Sequence, residues 1–175
     1  MAAQPLAAHP TTPCAAIRQF SAELRRTGAR TLLCRYELRG DVAALRLTPP
    51  GAAQRTEGLW QHSCCEFFLM SGQGGAYREF NFAPSGAWAA YAFDAYRQGM
   101  QSAELPATPR IVVHSGADRW TLQAELTLPA NAAIDRYALT AVIEDAQGAL
   151  SYWALQHAAA QPDFHHAHGF LSLDH

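Results

Sequence analysis

The segment Trp120 to Leu128, WTLQAELTL, alternates apolar and polar side chains without a break, and no other pattern constrains this chain as strongly. A period of two puts Trp120, Leu122, Ala124, Leu126 and Leu128 on one face and Thr121, Gln123, Glu125 and Thr127 on the other. That is a strand with one buried face. Further β-rich runs follow the same logic: TLLCRYEL, CCEFFLM, YREFNF, AWAAYAF, RIVVHS, ALTAVIE and LSYWAL, punctuated by Gly, Pro, Asn and Asp. TLLCRYEL, the turn Arg39-Gly40-Asp41 and VAALRL read as a hairpin, because Gly-Asp supplies the positive φ of a tight turn. YREFNF and AWAAYAF read as a second hairpin, joined by Ala83-Pro84-Ser85-Gly86. Between Cys14 and Arg26 two periods compete: Ile17, Phe20 and Leu24 fit a helix, whereas Phe20, Ala22 and Leu24 alternate with Gln19, Ser21 and Glu23. The strand is preferred.

About ten strands without a βαβ rhythm, repeat or low-complexity linker predict an all-β fold. The expected architecture is an antiparallel β-sandwich, jelly-roll or immunoglobulin-like, with residues 1–175 as a single domain of ordinary length. A net charge of -2 with dispersed arginines leaves no basic stripe for a phosphate backbone, so no nucleic-acid partner is expected. The longest apolar runs, such as AWAAYAF, fall short of the roughly 18 residues that span a bilayer, so no membrane partner is expected either. MAAQPLAAHPTTPCAA has neither a cationic start nor an apolar h-region, which makes the cytoplasm the expected location. Adjacent Cys64 and Cys65 point to opposite faces of a strand, and no CxxC pair occurs; reduced, buried thiols are expected.

Several stretches carry chemistry. In GLWQHSCCEFFL, Glu66 lies among apolar neighbours on both faces. An ionised carboxylate there costs several kcal/mol unless paired, so it either meets an arginine, Arg97 or Arg78, or lines a polar pocket. In YREFNF, Phe80 and Phe82 point one way while Tyr77, Glu79 and Asn81 point the other. Such a row is either solvated surface or a sugar-binding face. Sugars present apolar C-H faces bounded by hydroxyls, so their sites combine flat aromatic platforms with carboxylate, amide and guanidinium groups. Trp60, Trp88, Tyr96, Arg97 and Trp153 all lie near polar residues, whereas Trp120 reads as core. His165, His166 and His168, after Pro162-Asp163-Phe164, sit in a turn where adjacent imidazoles do not converge on one ion. No metal site is expected; His157 and His165 are read as members of a pocket rim or as groups that lock the turn.

GLWQHSCCEFFL, YREFNFAPSGAWAAYAFDAYRQGM and GALSYWALQHAAAQPDFHHAHGF, spanning Gly58 to Phe170, resemble the DOMON-like domains related to family 9 carbohydrate-binding modules. The resemblance implies a β-sandwich with a sugar site on one sheet, where two tryptophans clamp the sugar and carboxylate, amide and arginine groups bind its hydroxyls. It carries over Trp60, Glu66, Glu79, Asn81, Arg97, Trp153 and His157 as ligand-binding residues. The expected function is non-catalytic binding of a small carbohydrate or related metabolite, with no cofactor. Trp153 and His157 share a strand face in LSYWALQH, apolar at its middle and polar at one end, which suits a pocket wall. Two alternatives stand beside this reading. Some DOMON domains hold haem between Met and His, and the methionines here are Met1, Met70 and Met100. A glycoside hydrolase using Glu66 and Glu79 needs carboxylates about 5 to 9.5 Å apart around the scissile bond.

Overall fold

In the computed structural model, which describes residues 2–72, 75–130, 132 and 134–173, the alternating runs become strands of two antiparallel sheets. The first part of the chain forms β1 (Gln4–Pro5), β2 (Ala7–Ala8), β3 (Ile17–Arg26), β4 (Thr31–Gly40), β5 (Cys64–Met70), β6 (Tyr77–Phe82) and β7 (Trp88–Phe93). The remainder forms β8 (Gln101–Ser102), β9 (Arg110–Ser115), β10 (Arg119–Thr127), β11 (Arg136–Glu144), β12 (Leu150–Ala154) and β13 (Leu171–Ser172). One sheet runs β1-β3-β4-β10-β9; the other runs β2-β12-β11-β5-β6-β7-β8, with β13 paired to β11. The chain is therefore an all-β antiparallel sandwich. No helix among the described residues is long and apolar enough to cross a membrane.

Strand β10 buries Trp120, Leu122, Ala124 and Leu126 as its alternation demands, and they pack between the sheets with Tyr36 and Leu38 of β4 and Phe67, Phe80 and Phe82 of the facing sheet. Each such side chain contributes about 1.5–3 kcal/mol on leaving water. Tyr36 crosses the core, its hydroxyl donating to the Glu66 backbone carbonyl at 2.6 Å.

Segment 17–26 is the preferred strand, and the structure explains its helical look. The β3-β4 register shifts between Ile17 and Gln19, so Ile17 and Phe20 are both buried although three residues apart. A bulge mimicked the helical period. VAALRL departs from expectation: instead of a returning strand it forms a 3-10 turn, Val42–Ala44, followed by a single bridge from Leu45 to Asp145. Strand β4 has no need of it, being paired already with β3 on one side and β10 on the other. The second hairpin forms as expected, with Phe82 opposite Trp88.

All seven residues of CCEFFLM are buried. Cys65, Phe67 and Leu69 face the other sheet, whereas Phe68 and Met70 face outward into a second apolar cluster with Tyr77, Tyr91, Phe93, Phe164 and Phe170. The outer face of the larger sheet is therefore roofed by the segment that follows β12, and this roof positions the site.

Candidate functional site

Beneath that roof the larger sheet presents a polar row. Thr140 of β11, Glu66 of β5 and Asn81 of β6 stand in register across three adjacent strands, and Glu79 lies two residues from Asn81 on the same face. The row is not solvated surface: Glu66 and Glu79 are each 3% exposed and Asn81 is fully buried. A cavity of about 310 Å³ opens over it, near the lower end of the range for small-molecule sites. Glu66 and Glu79 reach its floor; Val142, Tyr152 and Phe93 line it from the sheet. Trp60 enters from the 3-10 turn Leu59–Gln61, Arg97 and Met100 from the turn after β7, and Pro162, Phe164 and His165 from the roof.

Trp60 is held in place by its neighbours. Its turn begins at Gly58 in the left-handed region, φ 73°, and ends at His62, whose Nδ1 meets the buried Glu144 carboxylate at 2.8 Å. Arg46 meets the same carboxylate at 2.6 Å, and Trp60 packs edge-on against Tyr91. The indole remains 38% exposed, a platform at the cavity mouth.

Arg97 is the lone non-glycine with positive φ among the described residues, at 53°. Its backbone N–H donates to the Tyr77 hydroxyl at 3.2 Å, and its guanidinium meets Asp163 at 3.0 Å. Tyr96 donates to the other Asp163 oxygen at 2.6 Å, so this aspartate ties the turn after β7 to the roof. The Tyr77 hydroxyl also shares a hydrogen bond with His165 Nδ1 at 2.7 Å, and His165 Nε2 stands 3.9 Å from Glu79 Oε2.

Burial raises both carboxyls on the floor. Glu79 is pushed up to about 7 by desolvation, opposed by the Asn81 amide, which donates to Oε1 at 2.8 Å, and by Arg97. Glu66 is pushed well above the usual carboxylate range by desolvation and by the Glu79 charge. Its Thr140 neighbour stands outside hydrogen-bond geometry yet still favours the charged form. No ion pair joins Glu66 to an arginine among the described residues; Arg97 acts only at longer range. Arg78 alternates to the face opposite Glu79 and Asn81 and cannot serve as the expected partner. Burial lowers His165 to about 4, leaving it neutral.

Of the residues expected in a site, Trp60, Glu66, Glu79 and Arg97 come together at this cavity, with Asn81 behind Glu79. Trp153 and His157 do not. Trp153 pairs with Ala141 on the inner face, packs edge-on against Phe20 and donates from Nε1 to Ser151 at 2.9 Å, so it belongs to the core. Both faces of LSYWAL are apolar, and only the register with β11 decides that Tyr152, opposite Val142, faces the cavity. His157 lies past the strand, bonded to the Ala7 carbonyl at 2.8 Å and set edge-on to His9. Trp88 likewise packs in the core, under Arg55. Sequence reasoning missed Tyr152, Phe93, Val142, Met100, Pro162 and Phe164; the quoted Pro162-Asp163-Phe164 turn was the available signal for the last two. Among the described residues no group of three or more His, Cys, Asp or Glu is arranged to hold a metal ion.

A β-sandwich carrying a roofed, aromatic and acidic cavity on one sheet is the class of protein this chain represents. No family model matches it, and no curated protein matches it. Among solved structures it is similar to a candidate carbohydrate-binding protein from Bacteroides uniformis, with a TM-score of 0.70 over 99% of this chain and 87% of that one. The two sequences are 16% identical, so the likeness is one of fold.

Proposed function

We propose that the chain is a non-catalytic binding module for a small sugar or sugar-like metabolite, held in the cavity on the outer face of the larger sheet. One observation carries this reading: aromatic surfaces from Trp60, Tyr152 and Phe164 border a floor of carboxylates with a guanidinium beside it. A pyranose needs that combination, its C-H face against a ring and its hydroxyls on the polar groups. In this reading Trp60 is the platform, Glu66 and Glu79 accept from hydroxyls, Asn81 orients Glu79, and Arg97 donates. The fold shared with the Bacteroides uniformis protein supports it, as does the resemblance to family 9 modules.

A thermal-shift screen against mono- and disaccharides tests the proposal, since a ligand at 100 times its Kd adds about 2.7 kcal/mol of stability. The expected result is a shift with at least one sugar that disappears in Trp60→Ala. A saturable shift unaffected by Trp60→Ala, or none across the panel, overturns it.

A further inference from the structure

The floor holds more acceptors than the protein supplies donors for. Asn81, in register with Glu66, spends its amide nitrogen on Glu79 Oε1, and its buried Oδ1 has no hydrogen-bond partner among the described residues. A fully buried carbonyl oxygen left in that state is destabilising and makes the row one acceptor richer. The two carboxyls add their own lone pairs. Against these stand few donors: the Arg97 guanidinium is engaged with Asp163, and neutral His165 carries a single N–H on a ring whose Nε2 stands 3.9 Å from Glu79. Of the surrounding hydroxyls, Tyr77 is engaged with His165 and Tyr91 donates to Glu57 at 2.5 Å, which leaves the Thr140 O–H beside Glu66 as the one in the row without a partner among the described residues. The charge count leans the same way. Glu66, Glu79, Asp163 and Glu57 lie at or around the floor, with Arg97 as the cation facing them.

Resting on the sugar-site reading, we propose that the ligand carries a protonated primary amine, that is, an amino sugar, whose ammonium binds Glu66 and Glu79 on the cavity floor. A neutral hydroxyl fills one acceptor and does nothing to favour ionisation of the two neighbouring carboxyls, both raised by burial. An ammonium donates to both and favours their charged forms, and the rings of Tyr152, Phe164 and Trp60 suit a cation. Any proton held on the two carboxyls before binding leaves to solvent as the amine enters.

Calorimetric titration of the full chain at neutral pH distinguishes the possibilities. The probes are 2-amino-2-deoxy and 6-amino-6-deoxy hexoses in the gluco and galacto series, each with its parent hexose and N-acetyl derivative, and cyclohexylamine as a ring amine without hydroxyls. At least one amino sugar should bind about tenfold or more tighter than both its parent and its N-acetyl form, and Glu79→Gln should erase that preference, the amino sugar then binding no tighter than its parent hexose. Glu66→Gln is the second variant and should do the same. Parent hexoses that bind as tightly as the amines overturn the amine proposal and leave the sugar site standing. Cyclohexylamine binding alone sustains an amine pocket and overturns the sugar site; no binding by any probe overturns both. A preference retained in both glutamine variants overturns the placement on these carboxylates.

Discussion

Replacing Glu79 with glutamine should stabilise the protein at alkaline pH and leave it nearly unchanged in acid. Glu79 has a carboxyl raised from 4.5 to about 7 in the folded chain. A folded value above the unfolded one means that the native state holds the proton more tightly. The resulting stability is complete below pH 4.5 and is lost as pH rises through 7. At 1.36 kcal/mol per pH unit, the interval amounts to roughly 3 kcal/mol of wild-type stability lost by pH 8. Glutamine is isosteric, keeps an oxygen for the Asn81 amide at Glu79 Oε1, and cannot ionise. Removing the Glu79 charge also relaxes Glu66, which that charge pushes up, and the effect has the same sign. His165, lowered to about 4, gives an opposite slope in mildly acid solution, but it is common to both proteins and cancels in the difference. Urea unfolding of wild type and Glu79→Gln at pH 5, 6, 7 and 8 should show a gap growing from about 1 to about 3 kcal/mol. In a chain of this size that corresponds to about 6–12 °C in Tm. A gap independent of pH, or a variant less stable than wild type at pH 8, refutes the reasoning.

Two further outcomes follow from placement. Trp153→Ala should cost about 3–5 kcal/mol in chemical denaturation as a large-to-small change between the sheets, whereas Trp60→Ala, at a residue 38% exposed, should leave the unfolding midpoint within about 0.5 kcal/mol of wild type. Burial pushes the thiols of Cys34, Cys64 and Cys65 well up, and all three are buried while Cys14 is partly exposed. A thiol reagent should therefore modify one cysteine in the native protein and four in denaturant.

The polar row was legible because YREFNF alternates cleanly: once Phe80 and Phe82 are inside, Tyr77, Glu79 and Asn81 must share the other face. What alternation could not say is whether that face meets water. The answer depends on the segment 155–170, which has almost no regular structure and packs over the sheet through Phe164, His165 and Phe170. Trp153 shows the same limit from the other side. Its strand is apolar on both faces, so period two sorts its residues into two sets without naming the inner one.

The sequence by itself determined the all-β class, most of the strands and the residue sets sharing each face, because these depend on neighbours one or two positions apart along an extended backbone. Tertiary structure alone decided that Trp153 is core and Trp60 platform, that Glu66 feels another carboxylate more than an arginine, and that Asp163 ties the turn after β7 to the roof. Those outcomes depend on strand register and on contacts such as Tyr77 with His165, 88 positions apart, which no local period encodes.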